Sequence, residues 1–136
     1  MSPAGILALT QAKAVKIAAL AEISADGAIA GVDVSAYCGP ALFILDAKNT
    51  AGTTPTLAAK LQHSSDDGAT DTYDDVTDGG FTSLTDAAHV PQALLINRND
   101  LKKYVRVIYD IGGTSTPKYY ASVTMIAQRQ APEPAA

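Results

Sequence analysis

Hydrophobic and polar residues alternate with a period of two along most of the last third of the chain. In "KKYVRVIYDIGGTSTPKYYASVTMIAQRQ", Val105, Val107 and Tyr109 share one face opposite Arg106 and Asp110. Further on, Tyr119, Ala121, Val123 and Met125 alternate with Tyr120, Ser122, Thr124 and Ile126. Strands with one buried face read this way, because successive side chains point to opposite sides of a sheet. Gly112, Gly113 and Pro117 punctuate the two runs, so the pattern predicts a β-hairpin with a long "GGTSTP" loop. Upstream, "ALFILDAK" (41–48) suits a buried strand. The turn-rich "NTAGTTP" leads into "TLAAKLQHS" (56–64), where Leu57, Ala59, Leu61 and His63 alternate with Ala58, Lys60 and Gln62. Short runs at 72–76 and 81–85 are joined through Asp78-Gly79-Gly80. Another candidate strand lies at 90–98, and "NRNDLKK" follows as a turn that Asn99 would cap.

Short strands separated by turn signals predict an all-β fold, an antiparallel β-sandwich or partly closed barrel of about 6–8 short strands. The N-terminal stretch is ambiguous. "LTQAKAVKIAALAEIS" is alanine-rich and helical by propensity, yet Val15, Ile17 and Ala19 alternate with Lys16 and Ala18. Residues 1–30 therefore form either an extended or partly helical arm or a first strand. Residues 31–130 form the sandwich, and the proline-bearing "APEPAA" (131–136) a flexible tail.

Composition narrows the function. The chain has 136 residues, a net charge of −4 and scattered basic side chains. The densest basic stretch, Lys102, Lys103 and Arg106, is too small to track a phosphate backbone, so no direct nucleic-acid partner is expected. Cys38 is the only cysteine, which rules out an intrachain disulfide and a thiolate metal cage. No segment reaches the ~18–20 consecutive apolar residues of a membrane span. In the first 25 residues the lysines follow the apolar run, so no secretory leader is expected either.

The stretch "LQHSSDDGATDTYDDVTDGG" (61–80) gathers His63, two serines and six aspartates. His63, Ser64 and Asp66 are the residue types of a nucleophilic triad. Neighbouring strand residues point apart, however, and no Gly-x-Ser-x-Gly elbow exists in the chain. The second histidine, His89, is distant in sequence. An EF-hand counted from Asp67 fails at the third and sixth positions, Ala69 and Thr72. Asp71, Asp74 and Asp78 are the residues that an irregular cation site would use. The competing expectation is a hairpin whose acidic loop stays in water. No Gly-rich phosphate loop ends in Gly-Lys-Ser/Thr, and the chain has no tryptophan, which weakens a sugar-stacking platform. Catalytic residues and cofactors are expected to be none.

Three segments carry a family likeness: "GVDVSAYCGPALFILDAKNT", "TLAAKLQHSSDDGATDTYDDVT" and "LKKYVRVIYDIGGTSTPKYYASVTMIAQRQ". Together they resemble small virion structural proteins of tailed double-stranded DNA bacteriophages, among capsid decoration (cement) and minor capsid proteins. Tyr73 stands where that pattern often has an aromatic residue after the acidic turn. The resemblance implies a non-enzymatic β-sandwich made in the host bacterial cytoplasm and seated on the capsid exterior. Its implied partners are the major capsid protein and further copies of itself, commonly as a trimer. Tail-tube, head–tail connector and head-fibre base proteins share the build. A carbohydrate-binding sandwich for host attachment is the alternative from another class. An extended arm could add a strand to a neighbour's sheet, and Val15, Ile17, Leu20 and Ile23 are then the expected partner contacts.

Overall fold

The computed structural model describes residues 12–85 and 91–129. Among the described residues, eight antiparallel strands form one sheet that is not closed into a barrel. They are β1 (Ala12–Ile23), β2 (Gly27–Ala28), β3 (Val32–Asp33), β4 (Tyr37–Ser64), β5 (Asp74–Gly80), β6 (Leu84–Thr85), β7 (Gln92–Asn97) and β8 (Tyr104–Arg129). Among the described residues the helical content is one 3-10 turn, Arg98–Asp100. Asn97 caps it by accepting from the Asn99 backbone N–H, so the cap lies two residues before the one the sequence suggested. No helix among the described residues is long and apolar enough to cross a membrane.

The all-β class follows the sequence expectation, but two of the strands are far from short. β4 runs for 28 residues and β8 for 26, paired with each other from Tyr37↔Arg129 to Ser64↔Tyr104. This corrects the C-terminal hairpin. The runs 105–110 and 119–126 do not pair with each other; the first lies against Leu57–Ser64 and the second against Leu42–Asn49. Each run's other edge is also taken, by β2 and β3 in the first case and by β1 in the second. "NTAGTTP" and "GGTSTP" are therefore not chain reversals. They lie opposite each other and form a corner at which both strands bend together.

The corner is built from irregular backbone. Register shifts fall between Asn49 and Thr56, yet Asn49↔Tyr119 and Thr56↔Gly112 are spaced equally on the two strands, so the ladder resumes in its original register. Gly52 and Gly113 adopt φ of +107° and +119°, and Thr54, Ser115 and Thr116 are also left-handed. A Cβ on Gly52 would stand 2.6 Å from Pro117 Cα, and one on Gly113 would stand 2.9 Å from Pro55 Cα. Such bulged, left-handed positions are the means by which a long ribbon turns sharply without losing its pairing.

Alternation explains why the bend produces a core. Ala41, Phe43, Leu45 and Ala47 before the corner, and Leu57, Ala59 and Leu61 after it, are buried, all at odd positions. In β8 the buried residues Val105, Val107 and Tyr109, then Tyr119 to Ala127, are odd as well. One face of the ribbon is thus apolar along its whole length, and the ribbon folds onto that face. The first layer is β1–β8–β4–β7, using residues 37–49 and 119–129 of the long strands. The second contains residues 56–64 and 104–111, flanked by β2 and β3 on one side and β5 and β6 on the other. Their facing side chains merge into one hydrophobic cluster. Burial of side chains such as Phe43, Leu57, Val107 and Tyr119 contributes roughly 1.5–3 kcal/mol each.

The alanine-rich N-terminal stretch is a strand, not a helix. β1 pairs with β8 from Ala12↔Gln128 to Ile23↔Tyr119, with shifts at Lys16/Ala18 and Ala18/Ala21. The first shift explains why neighbours Ile17 and Ala18 are both buried. Asp78-Gly79-Gly80 is not a turn either. It lies within β5, and β5 and β6 run on along the same edge of β4. Residues 1–11, His89 and the tail 131–136 lie outside the described residues.

Candidate functional site

The acidic stretch leaves β4 at Ser64 and returns on β5, with His63↔Asp74 and Gln62↔Asp75 paired, so the hairpin expected here is present. Its loop is a hydrogen-bonded structure docked against the second layer. Ser64, fully buried, donates from Oγ to the Asp71 carbonyl at 2.6 Å and accepts from the Gly68 N–H at 2.9 Å. The Asp66 carboxylate accepts from the Thr70 N–H at 2.9 Å, from the Thr70 hydroxyl and from the Asp71 N–H at 3.0 Å. These donors stabilise the charged form and hold the Asp66 pKa down to about 2, with the Thr70 hydroxyl the largest cause. Asp67 accepts from Tyr73 Oη at 2.6 Å, and the Arg106 guanidinium lies over the Tyr73 ring, 4.1 Å from its centroid. Burial, with the Asp67 bond second, pushes the Tyr73 pKa strongly upward. Tyr73 Oη and Asp67 occupy the space that a Cβ on Gly31 would need, so glycine there lets the loop close onto the 28–31 segment.

This arrangement brings Asp71 and Asp74 to one lysine and leaves Asp78 apart from them. Asp71 accepts from the Ser65 N–H at 2.8 Å and from Lys102 Nζ at 3.0 Å. Lys102 Nζ also stands 3.7 Å from Asp74. The Ser65 bond, then Lys102, lowers the Asp71 pKa, and Asp71 in turn raises that of Lys102. Asp78 sits in β5 with a left-handed φ of 57° and lines a different cleft. Asp71, Asp74 and Asp78 therefore do not assemble as a cation site. The lysine ammonium supplies the positive charge, and among the described residues no group of three or more His, Cys, Asp or Glu could hold a metal.

His63 and Ser64 serve separate networks. His63 Nδ1 accepts from the Lys102 backbone N–H at 3.2 Å, which leaves the proton of the neutral ring on Nε2. Burial lowers the His63 pKa, Lys102 lowers it further, and Asp74 and Asp71 oppose both. Asp75 links Lys60 Nζ (3.0 Å) to Gln62 Nε2 (2.8 Å), while Gln62 Oε1 accepts from Arg106 Nη2 at 2.8 Å. Lys60, Asp75, Gln62, Arg106 and Tyr73 thus form a continuous polar layer over the outside of the second sheet layer. Nothing in the one-dimensional pattern signalled Lys102 or Arg106 as the organisers of the loop. Both are far from it in sequence and meet it through the β4–β8 register.

Two clefts flank the loop. One of about 390 Å³ lies between the 28–31 segment and Asp67, Tyr73 and Arg106. The other, of about 470 Å³, lies between the layers and is lined by His63, Asp78, Ile96, Asn97 and Asp100.

The N-terminal residues expected to meet a partner divide sharply. Ile17 and Ile23 belong to the chain's own core, and Val15 packs against it half-buried. The reason is that β1 is an integral strand of the first layer, so its inward side chains are spent on the domain itself. Leu20, in the bulged part of β1, is 70 % exposed and alone of the four remains offered to a partner.

No protein-family model and no curated protein sequence matches the chain. Its fold is similar to solved viral capsid structures. The infectious bursal disease virus structure of the Gt strain aligns over 86 % of this chain and 33 % of its own, with a TM-score of 0.52 and 14 % identity. The VP2 subviral particle of the same virus aligns over 86 % and 32 %, with a TM-score of 0.50 and 17 % identity. The chain spans about a third of the length of these capsid chains. A Bacillus endospore appendage protein aligns over 89 % of this chain and 90 % of its own, with a TM-score of 0.43 and 14 % identity.

Proposed function

We propose that this chain is a non-enzymatic structural protein of a tailed bacteriophage virion, a capsid decoration protein that binds the major capsid protein on the outside of the shell. The observation that carries this reading is the fold: an all-β sandwich built on two bent strands, similar over most of its length to part of viral capsid chains. The tailed-phage and decoration part of the reading rests on the resemblance of the three sequence segments alone, which no family model or curated sequence matches. The loop chemistry agrees, because its serine, histidine and most of its carboxylates hold the loop together rather than converge on a substrate.

Among the described residues β1 ends the strand order of the first layer, with no described strand along its outer edge, where a further strand could pair. A strand of the capsid protein pairing there, with Leu20 as its apolar contact, would attach the domain by backbone hydrogen bonds. The test is quantitative mass spectrometry of purified particles from cells carrying the encoding genome. Hundreds of copies per particle are expected for a decoration protein. About six or twelve would make it a connector component instead, and absence from particles would overturn the virion reading.

A further inference from the structure

The outward face of the first layer carries a row of apolar side chains that crosses all four strands in register. Ala14 pairs with Ile126, Ile126 with Leu42, and Leu42 with Leu95. All four point away from the core, since their sequence neighbours Val15, Met125, Phe43 and Ile96 face it. Leu95 is 72 % exposed and Ile126 37 %. The next row, Lys16–Thr124–Ile44–Ala93, has one charge, and Asp46, Lys48 and Tyr120 follow toward the corner. Elsewhere the domain covers its outward face with charge, as the Lys60–Asp75–Gln62–Arg106 layer does on the second sheet layer.

We propose that this face packs against the same face of a second copy of the chain, around a two-fold axis running along the strands between β4 and β8. The row is self-complementary about that axis. Leu42 of one copy faces Ile126 of the other, and the bulky flank, Leu95, faces the small flank, Ala14. Lys48 meets the Tyr120 ring, a cation–π pairing. A two-fold interface uses one patch on both partners and needs this kind of match of large against small. Aligned packing of two sheets about 10 Å apart is a standard sandwich geometry. The size also fits. Three strands of about nine residues and the six residues of β7, at ~4.8 Å between strands and ~3.4 Å per residue, give a patch of roughly 540 Å² in projection. The pleat and side chains raise it toward the ~800 Å² per partner of a stable interface. This inference stands apart from the virion reading, since it concerns how two copies meet and not where they are carried.

The test is sedimentation equilibrium of the full chain over a micromolar concentration series, with circular dichroism as the check on folding. A reversible dimer is expected. Leu95→Lys, at an exposed position, should keep the spectrum and weaken the dimer at least about tenfold. Adding Ala14→Glu to it should restore the dimer, because the proposed axis sets the two substituted positions of opposite copies against each other. The inference is overturned by a parent chain that stays monomeric across the series. It is equally overturned by a trimer indifferent to Leu95→Lys, or by a double variant that fails to recover.

Discussion

At the scale of single residues, the acidic loop shows how charge can serve structure rather than chemistry. Asp66 closes its own loop, Asp71 and Asp74 share Lys102, Asp67 holds Tyr73, and Asp75 bridges Lys60 and Gln62. The composition of 61–80 was legible as acidic, and strand alternation correctly separated His63 from Ser64. What the sequence hid was the identity of the donors, because Lys102, just before β8, and Arg106, within it, stand 31 and 33 residues from Asp71 and Tyr73, the loop residues they meet. These bonds predict two steps in stability against pH. His63 has a folded pKa below its usual value, so the folded state favours the neutral ring. Its contribution is complete above about pH 6.5 and falls away as the pH drops through that value. Asp66, held near 2, favours the charged form, so its contribution is complete above about 4 and is lost as the pH falls toward 2. Asp33, Asp71 and Asp75 are lowered too and add to the acid step. Melting temperature measured from pH 8 to pH 2 should show both declines. His63→Gln should flatten the first alone and Asp66→Asn should shrink the second. A parent curve that stays level from pH 7 to pH 5, or that rises there, would contradict the burial and the nearby Lys102 charge that disfavour a protonated His63.

At the scale of elements, the informative case is β1. The sequence left residues 1–30 open between an arm, a helix and a strand, because alanine scores well in helices and the alternation is interrupted. The interruption is now explained: a bulge at Ile17–Ala18 slips the phase, so a strand can lack strict period two and still bury its apolar side chains. Pairing, which overrides propensity, depends on β8 being there to receive it. The long strands are hidden in the sequence for a related reason. Glycine, threonine and proline clusters mark both reversals and corners, and local sequence cannot tell a hairpin from two strands bending side by side. The placement of β1 fixes what its removal would do. Deleting residues 12–23 takes Ile17, Ala18 and Ile23 from the core and exposes the edge of β8 from Tyr119 to Gln128. Losses of this kind cost about 2–5 kcal/mol for each large core side chain, comparable together with the ~5–15 kcal/mol that holds a domain folded. The truncated chain should therefore lose its cooperative melt and its dispersed amide spectrum. A truncation that melts sharply near the parent temperature would show β1 to be a detachable arm after all.

At the scale of the whole molecule, the two layers are not two units joined by loops. β4 and β8 each pass through both, so every layer has its two central strands continued in the other. Opening one layer means pulling apart a ladder whose register is shared across the corner, and the apolar face that would be exposed is continuous with the other layer's core. The molecule should accordingly unfold in one step, with coincident transitions by far-ultraviolet circular dichroism and tyrosine fluorescence and a calorimetric enthalpy equal to the van't Hoff value. Substitutions in different layers provide the sharper test. Met125→Ala in the first layer and Leu61→Ala in the second each remove a fully buried side chain and should each cost about 2–5 kcal/mol. Both should move the same single transition, and neither should split it. Two resolved transitions in either variant would mean that the corner uncouples the layers. A single one would mean that neither layer opens alone to present its strand edges to neighbouring molecules. The same topology makes folding slow. Nearly all pairing is between residues distant in sequence, so refolding belongs in the millisecond-to-second range.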